Sequence, residues 1–257
     1  MKRLFLVLLI VIVGIKFSFS QNKVLENDSL YKKIPEKTHS HRSFRFGMKA
    51  AAMFCWMKPD LANDNNRPYT VDGGGGRFGG AWGPIAEFQL NETFLISTGV
   101  DINYTSFKLK GVFDLDGSSG LVEWNRKYKA RMFEIPVMLK FRTKEIGYMR
   151  YFGLFGLGLG GLYKSSAESS SSSSSVVALD NKYGKYIKEF RGSVLVGAGV
   201  EYSLSGNTAL VGSLVFNNGL FDVLKDQIDT TKPTDPFSNI EFKAITNYMQ
   251  LNVGILF

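Results

Sequence analysis

From Arg42 to the last residue, Phe257, apolar residues recur at every second position in eight separate runs. A period of two is the signature of strands with one apolar face, and no helical period competes with it here. In RSFRFGMKAAAMFCWMK, residues Phe44, Phe46, Met48, Ala50, Ala52, Phe54 and Trp56 share one parity, and Arg45, Gly47, Lys49, Ala51 and Cys55 the other. FGGAWGPIAEFQL sets Phe78, Trp82, Ala86, Phe88 and Leu90 against Glu87 and Gln89. TFLISTGVDINYTSF reads as one unbroken strand, with Phe94, Ile96, Val100, Ile102 and Tyr104 opposite Ser97, Asp101 and Asn103. YKARMFEIPVMLKFR alternates Phe133, Ile135, Val137, Leu139 and Phe141 with Glu134 and Lys140. RYFGLFGLGLGGLY presents Tyr151, Phe155, Leu157 and Leu159. FRGSVLVGAGVEYSL presents Val194, Val196, Ala198, Val200 and Tyr202 opposite Arg191, Ser193 and Glu201. TALVGSLVF is apolar on both parities, so its outward face stays open. The last run, ending MQLNVGILF, places Met249, Leu251, Val253, Ile255 and Phe257 on one side.

The connections sort by length. Asn91-Glu92, Thr143–Ile146 and Ser205–Asn207 make short turns; residues 59–77, 111–124, 165–189 and 222–243 make long loops. Short turns at one end and long loops at the other are the pattern of an outer-membrane barrel. Most runs also reach the roughly 9–11 residues that a tilted strand needs to cross a bilayer. Hydrophobic content of 44% is no objection, because alternation keeps bulk hydropathy ordinary in such barrels.

A lipocalin-like soluble barrel would point its apolar face inward. Two features favour the opposite. The polar parity carries Arg45, Lys49, Glu87, Asp101, Glu134, Lys140, Arg150, Arg191 and Glu201, with both signs present. The apolar parity carries Phe44, Trp56, Phe94, Tyr104, Phe141, Tyr151, Tyr202 and Phe257 near strand ends, as the aromatic girdles of a membrane barrel require. The expectation is an all-β, eight-stranded antiparallel transmembrane β-barrel, an up-and-down meander with both termini periplasmic. Lipid offers no hydrogen bonds to an open edge, so the first and last strands must pair.

Residues 1–20, with Lys2, Arg3, an apolar core from Leu4 to Ile15 and Ser18 and Ser20, read as a signal peptide cleaved before Gln21. The core of about 12 residues is short of the roughly 20 that span a membrane. Cleavage removes Lys2, Arg3 and Lys16 and takes the formal charge from +8 to +5. Residues 21–41 are polar and aperiodic and read as a flexible periplasmic segment; residues 42–257 form the barrel. Cys55 is the single cysteine, so no internal disulfide is available.

The sequence resembles the PorT-like outer-membrane β-barrel proteins. FEIPVMLKFR (133–142) and GSVLVGAGVEY (192–202) carry the resemblance, supported by FGMKAAAMF (46–54) and the aromatic-terminated last strand. It implies an eight-stranded barrel in the outer membrane, and its namesake implies a role beside a protein-secretion system. Phe257 likewise resembles the C-terminal aromatic that barrel-assembly machinery reads as an assembly signal.

Candidate chemistry is sparse. Eight strands enclose a lumen that side chains can fill, so the charged interior set reads as a salt-bridged plug before an ion pathway. Gly156, Gly158, Gly160, Gly197 and Gly199 are placed inward, leaving room for large groups opposite. VDGGGGRFGG (71–80) lacks the G-K-[ST] of a phosphate loop and reads as a loop tip. His39 and His41, the only histidines, precede the first strand and supply neither a metal set nor a catalytic triad. AESSSSSSS (167–175) reads as an unordered extracellular loop open to glycosylation, and Asp28-Ser29-Leu30 and Asp229-Thr230-Thr231 match a short O-glycosylation pattern. Lys129 and Arg131 lie on the lipid-facing parity and mark an outer rim in contact with lipopolysaccharide phosphates. The expected protein is a non-enzymatic structural or interaction protein with no cofactor and no nucleic-acid partner. Its expected partners are outer-membrane lipid, lipopolysaccharide, the barrel-assembly machinery and secretion-system components. The alternatives are a narrow pore for small solutes and an outer-membrane lipid-modifying enzyme.

Overall fold

The computed structural model describes residues 44–60, 69–114, 121–171, 178–180, 187–204, 208–224 and 243–257. The predicted signal peptide, periplasmic segment, histidines and Asp-Ser/Thr motifs lie outside them. The described residues form eleven strands: β1 (Phe44–Asp60), β2 (Tyr69–Gly73), β3 (Arg77–Gln89), β4 (Phe94–Gly99), β5 (Asp101–Asp114), β6 (Leu121–Arg142), β7 (Met149–Ser171), β8 (Ala178–Asp180), β9 (Phe190–Ser203), β10 (Ala209–Gly219) and β11 (Lys243–Leu256). They make one antiparallel meander. β1 pairs β3, β3 pairs β4 and β5, these pair β6, and the order continues β7, β9, β10 and β11.

β11 returns to β1 in a ladder running from Gly47↔Leu256 to Asp60↔Lys243. The Phe257 N–H donates to Phe46 O at 2.8 Å, continuing the seam. The sheet is therefore a closed barrel of eight staves, with β4 and β5 sharing one stave. At the seam a Cβ built on Gly47 would stand 1.8 Å from Ile255 O; only glycine lets the two closing strands approach this far.

The third run is broken at Val100, against the expectation of one continuous strand. In the two registers Pro84 of β3 falls opposite Val100, and Pro136 of β6 falls opposite the preceding residue, Gly99. Proline has no N–H to give to a ladder. Both ladders lapse at this point: Val100 N–H donates to Pro84 O at 3.2 Å, and Thr98 Oγ1 donates to Pro136 O at 2.8 Å.

The short turns are hydrogen-bonded. Asn91 Oδ1 accepts from the N–H groups of Thr93 and Phe94 at 2.8 and 2.7 Å, and Gly147 turns the β6–β7 hairpin at φ 67°. Three of the expected long loops, 59–77, 111–124 and 165–189, are strand over much of their described residues. β5 and β6 stay paired out to Asp114↔Leu121, and β6 and β7 out to Trp124↔Ser171. The serine tract thus begins inside β7, where Ser169 also pairs with Ala178 of β8. A polar tract orders here because its backbone joins an existing ladder, which composition cannot reveal. The glycine run is likewise divided between β2 and β3, with Gly75 at φ 86° between them.

Candidate functional site

Two belts of aromatics bound the membrane zone. Near the short turns Phe44 meets Phe88, Phe46 meets Phe257, and Phe94 meets Phe141 at 5.0, 6.0 and 5.4 Å between ring centroids. Near the other end Phe54 meets Phe78 at 5.7 Å and Trp56 stacks on Phe216 at 6.0 Å. Phe44 and Phe54 stand ten residues apart on β1. At ~3.3 Å per residue and a ~40° tilt this is ~25 Å, the height of a barrel's apolar band.

Inside this zone the lumen holds two charge centres. The first lies level with the short-turn belt. Arg45 donates to Glu87 at 2.5 Å and to Glu201 at 2.9 Å; Lys140 donates to Glu87 at 2.7 Å and also to Glu201. Arg142 closes on Glu201 at 3.7 Å, and the Lys140 ammonium stands 4.1 Å from the Phe152 ring centroid. Glu87, Glu201 and Lys140 are each about 1% exposed, and with Arg45 they join β1, β3, β6 and β9 across the lumen. Lys49 and Asp101 pair at 2.9 Å above it.

The second centre surrounds Glu134. Its Oε1 accepts from Arg191 Nη1 at 3.2 Å, Ser193 Oγ at 2.8 Å and Asn217 Nδ2 at 2.9 Å. Its Oε2 accepts from Asn103 Nδ2 at 3.0 Å and from the Tyr248 hydroxyl. Arg191 donates further to Thr246 Oγ1, Thr246 O and Asn217 Oδ1 at 3.0, 2.9 and 2.6 Å, with its guanidinium 4.6 Å from the Tyr248 ring centroid. A buried carboxylate is tolerated only when paired and fully hydrogen-bonded; Glu134 has one cation and four neutral donors.

Inward glycines make this filling possible. A Cβ on Gly158 would lie 2.4 Å from Glu134 Oε1 and 2.5 Å from Ser193 Oγ, and one on Gly199 would lie 2.4 Å from Phe152 Cζ. Between the two centres Met138, Phe152, Leu154, Leu195, Val211 and Val215 pack together. A cavity of about 30 Å³ beside Lys49, Glu87, Lys140 and Asn252 is left there, room for a water or two.

Eight of the nine sequence-predicted interior charges belong to these pairings. Arg150 is the exception: it pairs with Glu145 at the short turn and stays partly exposed, because it sits one residue into β7, at the lumen's mouth. Four participants were not anticipated: Arg142, Thr246, Asn217 and Tyr248. Arg142 continues the inward parity of Lys140, so periodicity could have found it, as it found Asn103 beside Asp101. Asn217 lies just past the run with two apolar faces, and Tyr248 sits on the inward parity of β11 but looks like one more apolar residue.

Beyond Arg131 the pattern inverts. Within the membrane zone β6 points Phe133, Ile135 and Val137 outward; beyond it, Lys127 and Lys129 point outward and Tyr128 and Ala130 are buried. The barrel continues with an apolar interior of Met53, Cys55, Met57, Phe107, Leu109 and Tyr128, among others. The β6–β7 register shifts between Arg131 and Met132, at the same height. This projecting part is built as a water-soluble barrel is, apolar inside and polar outside. Lys129 pairs there with Glu168 at 2.9 Å, which holds the Glu168 carboxyl below its ordinary value, and Arg131 lies 5.4 Å from the Tyr104 ring centroid.

Comparison with curated protein sequences finds no significant match. Solved structures with a similar fold include Neisserial surface protein A, at 14% identity and a TM-score of 0.40, covering 82% of this chain and 95% of that one. OprG from Pseudomonas aeruginosa has 11% identity and a TM-score of 0.42, covering 84% and 97%. Ail of Yersinia pestis has 15% identity and a TM-score of 0.33, covering 84% and 100%. Over residues 11–225 the sequence matches the outer membrane protein beta-barrel domain; the chain belongs to that family, and its place is the bacterial outer membrane.

Proposed function

We propose that this barrel is a non-enzymatic anchor, plugged through the membrane, whose projecting strands and loops serve interaction at the cell surface. The observation that carries this reading is the lumen. Nine cations and anions from opposite walls meet in it, around a cavity of about 30 Å³. A narrow pore needs a continuous wet path, and a lipid-modifying enzyme needs an apolar chamber open to lipid. Neither matches a membrane-zone interior closed by Arg45, Glu87, Lys140, Glu201 and the Glu134 centre.

The test is single-channel recording on purified barrel whose folding is verified by heat-modifiable gel migration. A silent bilayer is expected, and discrete conductance steps from folded protein would overturn the plug. The likeness of FEIPVMLKFR and GSVLVGAGVEY to PorT-like barrels favours a place beside a secretion machine within the same reading. Deleting the gene should then strand secreted proteins in the periplasm, and unimpaired secretion removes that variant.

A further inference from the structure

On the outer surface of β5, β6 and β7, just beyond the membrane belt, cations stand opposite cations. Lys108 faces Lys127, and Arg131 faces Lys164. Like charges directly opposite in a sheet are destabilising; on its other side Lys127 faces Glu168, the opposite-sign arrangement that a wall folded for stability alone would repeat. Burial, and then the charges of Lys110 and Arg77, hold the Lys108 ammonium below its ordinary value.

The wall itself opens at this height. The β3–β5 ladder stops at Gly80↔Tyr104, and β2 takes up β5 only from Leu109. A cleft of about 660 Å³ lies along this interruption, floored by Gly76, Gly79 and Gly80. Arg77, Lys127, Lys129, Arg131 and Lys164 line it, and none of its lining residues is a carboxylate. Arg77 Nε and Ser106 Oγ, both on its wall, are buried without a hydrogen-bond partner among the described residues.

We propose that this cleft binds the phosphorylated headgroup of an outer-leaflet lipid. The chemistry is that of a phosphate ester, for which the Arg and Lys side chains lining the cleft supply charge-assisted donors. The lipid source follows from what adjoins the cleft. Phe78, 84% exposed, and Tyr104 line it, and Phe133 and Tyr163 are exposed on the same outer face. A headgroup seated among the cations therefore has its acyl chains on the aromatic belt. This deepens the rim contact expected of Lys129 and Arg131 and rests on the outer-membrane placement; it is independent of whether the lumen conducts.

The experiment uses the full mature chain in phosphatidylcholine nanodiscs, with diphosphorylated lipid A or the same lipid A fully dephosphorylated. Two readouts are taken: amide hydrogen exchange, and lipid retention by native mass spectrometry. Diphosphorylated lipid A should slow exchange at residues 104–108 and 127–131 and be retained. Arg77→Gln/Lys127→Gln/Arg131→Gln should weaken retention by roughly tenfold to a hundredfold, whereas Lys144→Gln/Lys188→Gln/Lys243→Gln, with the same loss of charge elsewhere, should not. Equal loss in both triples, equal protection by dephosphorylated lipid A, or no protection at the cleft each overturns the proposal. Equal protection by inorganic pyrophosphate would assign the cleft to a free anion and overturn the lipid. Should the cleft triple fail to fold, exchange on the wild-type chain still decides.

Discussion

Glu134 and Arg191 show what a lumen demands of single residues. Removing one partner of a buried ion pair leaves the other uncompensated, at a cost of about 3–5 kcal/mol, while removing both is far milder. Glu134→Gln and Arg191→Met should each lower the urea midpoint of vesicle-refolded barrel steeply, and the double variant should recover part of the loss. Single variants as mild as Lys188→Gln, at the exposed rim, would show that the centre contributes little. Glycine positions give a sharper contrast. Gly158→Val drives its side chain into Glu134 and Ser193, and a strong loss of folded, heat-modifiable protein is expected. At Gly212 a Cβ meets nothing within 4 Å, and Gly212→Ala should be silent in the same gel assay.

β6 carries the most instructive element-scale pattern. Its alternation never slips, yet the side that is apolar changes at Arg131, where the strand leaves lipid for water. Val137→Lys should cost about 2–4 kcal/mol, as charge near the midplane does. Lys129→Val, on the same face but beyond the belt, should leave refolding midpoints almost unchanged; similar losses at both positions would remove the membrane boundary drawn at Arg131. The closing seam is the second test. Phe257 ends it with one backbone bond to Phe46 and a ring 6.0 Å from the Phe46 ring. Phe257→Ala should reduce assembly in cells more than substitution of any serine in β7, as read by outer-membrane yield. Equal yields would deny Phe257 the role of assembly signal.

At the scale of the molecule two zones are stacked in one sheet. The membrane part is apolar outside and ionic within, and the projecting part is polar outside with a core around Met53, Phe107 and Tyr128. The first owes its stability to lipid and to paired charges, the second to ordinary hydrophobic burial. Replacing the β6–β7 hairpin beyond Arg131 and Lys164 with a short turn should therefore leave a barrel that still inserts and still shifts on boiling. A variant that no longer inserts would mean the projecting core is needed to close the membrane zone.

Alternation by itself determined most of the strands, their facing outside the run 208–216, the barrel and eight of its inward charges, because a side chain's side of a sheet follows from parity alone. It carried the inversion at Arg131 too, legible as a change in which parity is apolar. The partners lay beyond it. Glu134 meets Arg191, Asn217 and Tyr248 only because closure brings β6, β9, β10 and β11 around one lumen, and no local pattern encodes distances across a barrel. The break at Val100 needed two prolines on neighbouring strands to fall opposite adjacent residues, Pro84 at Val100 and Pro136 at Gly99. The order in the serine tract needed a ladder already built beside it, since a backbone hydrogen bond is indifferent to the side chain that accompanies it.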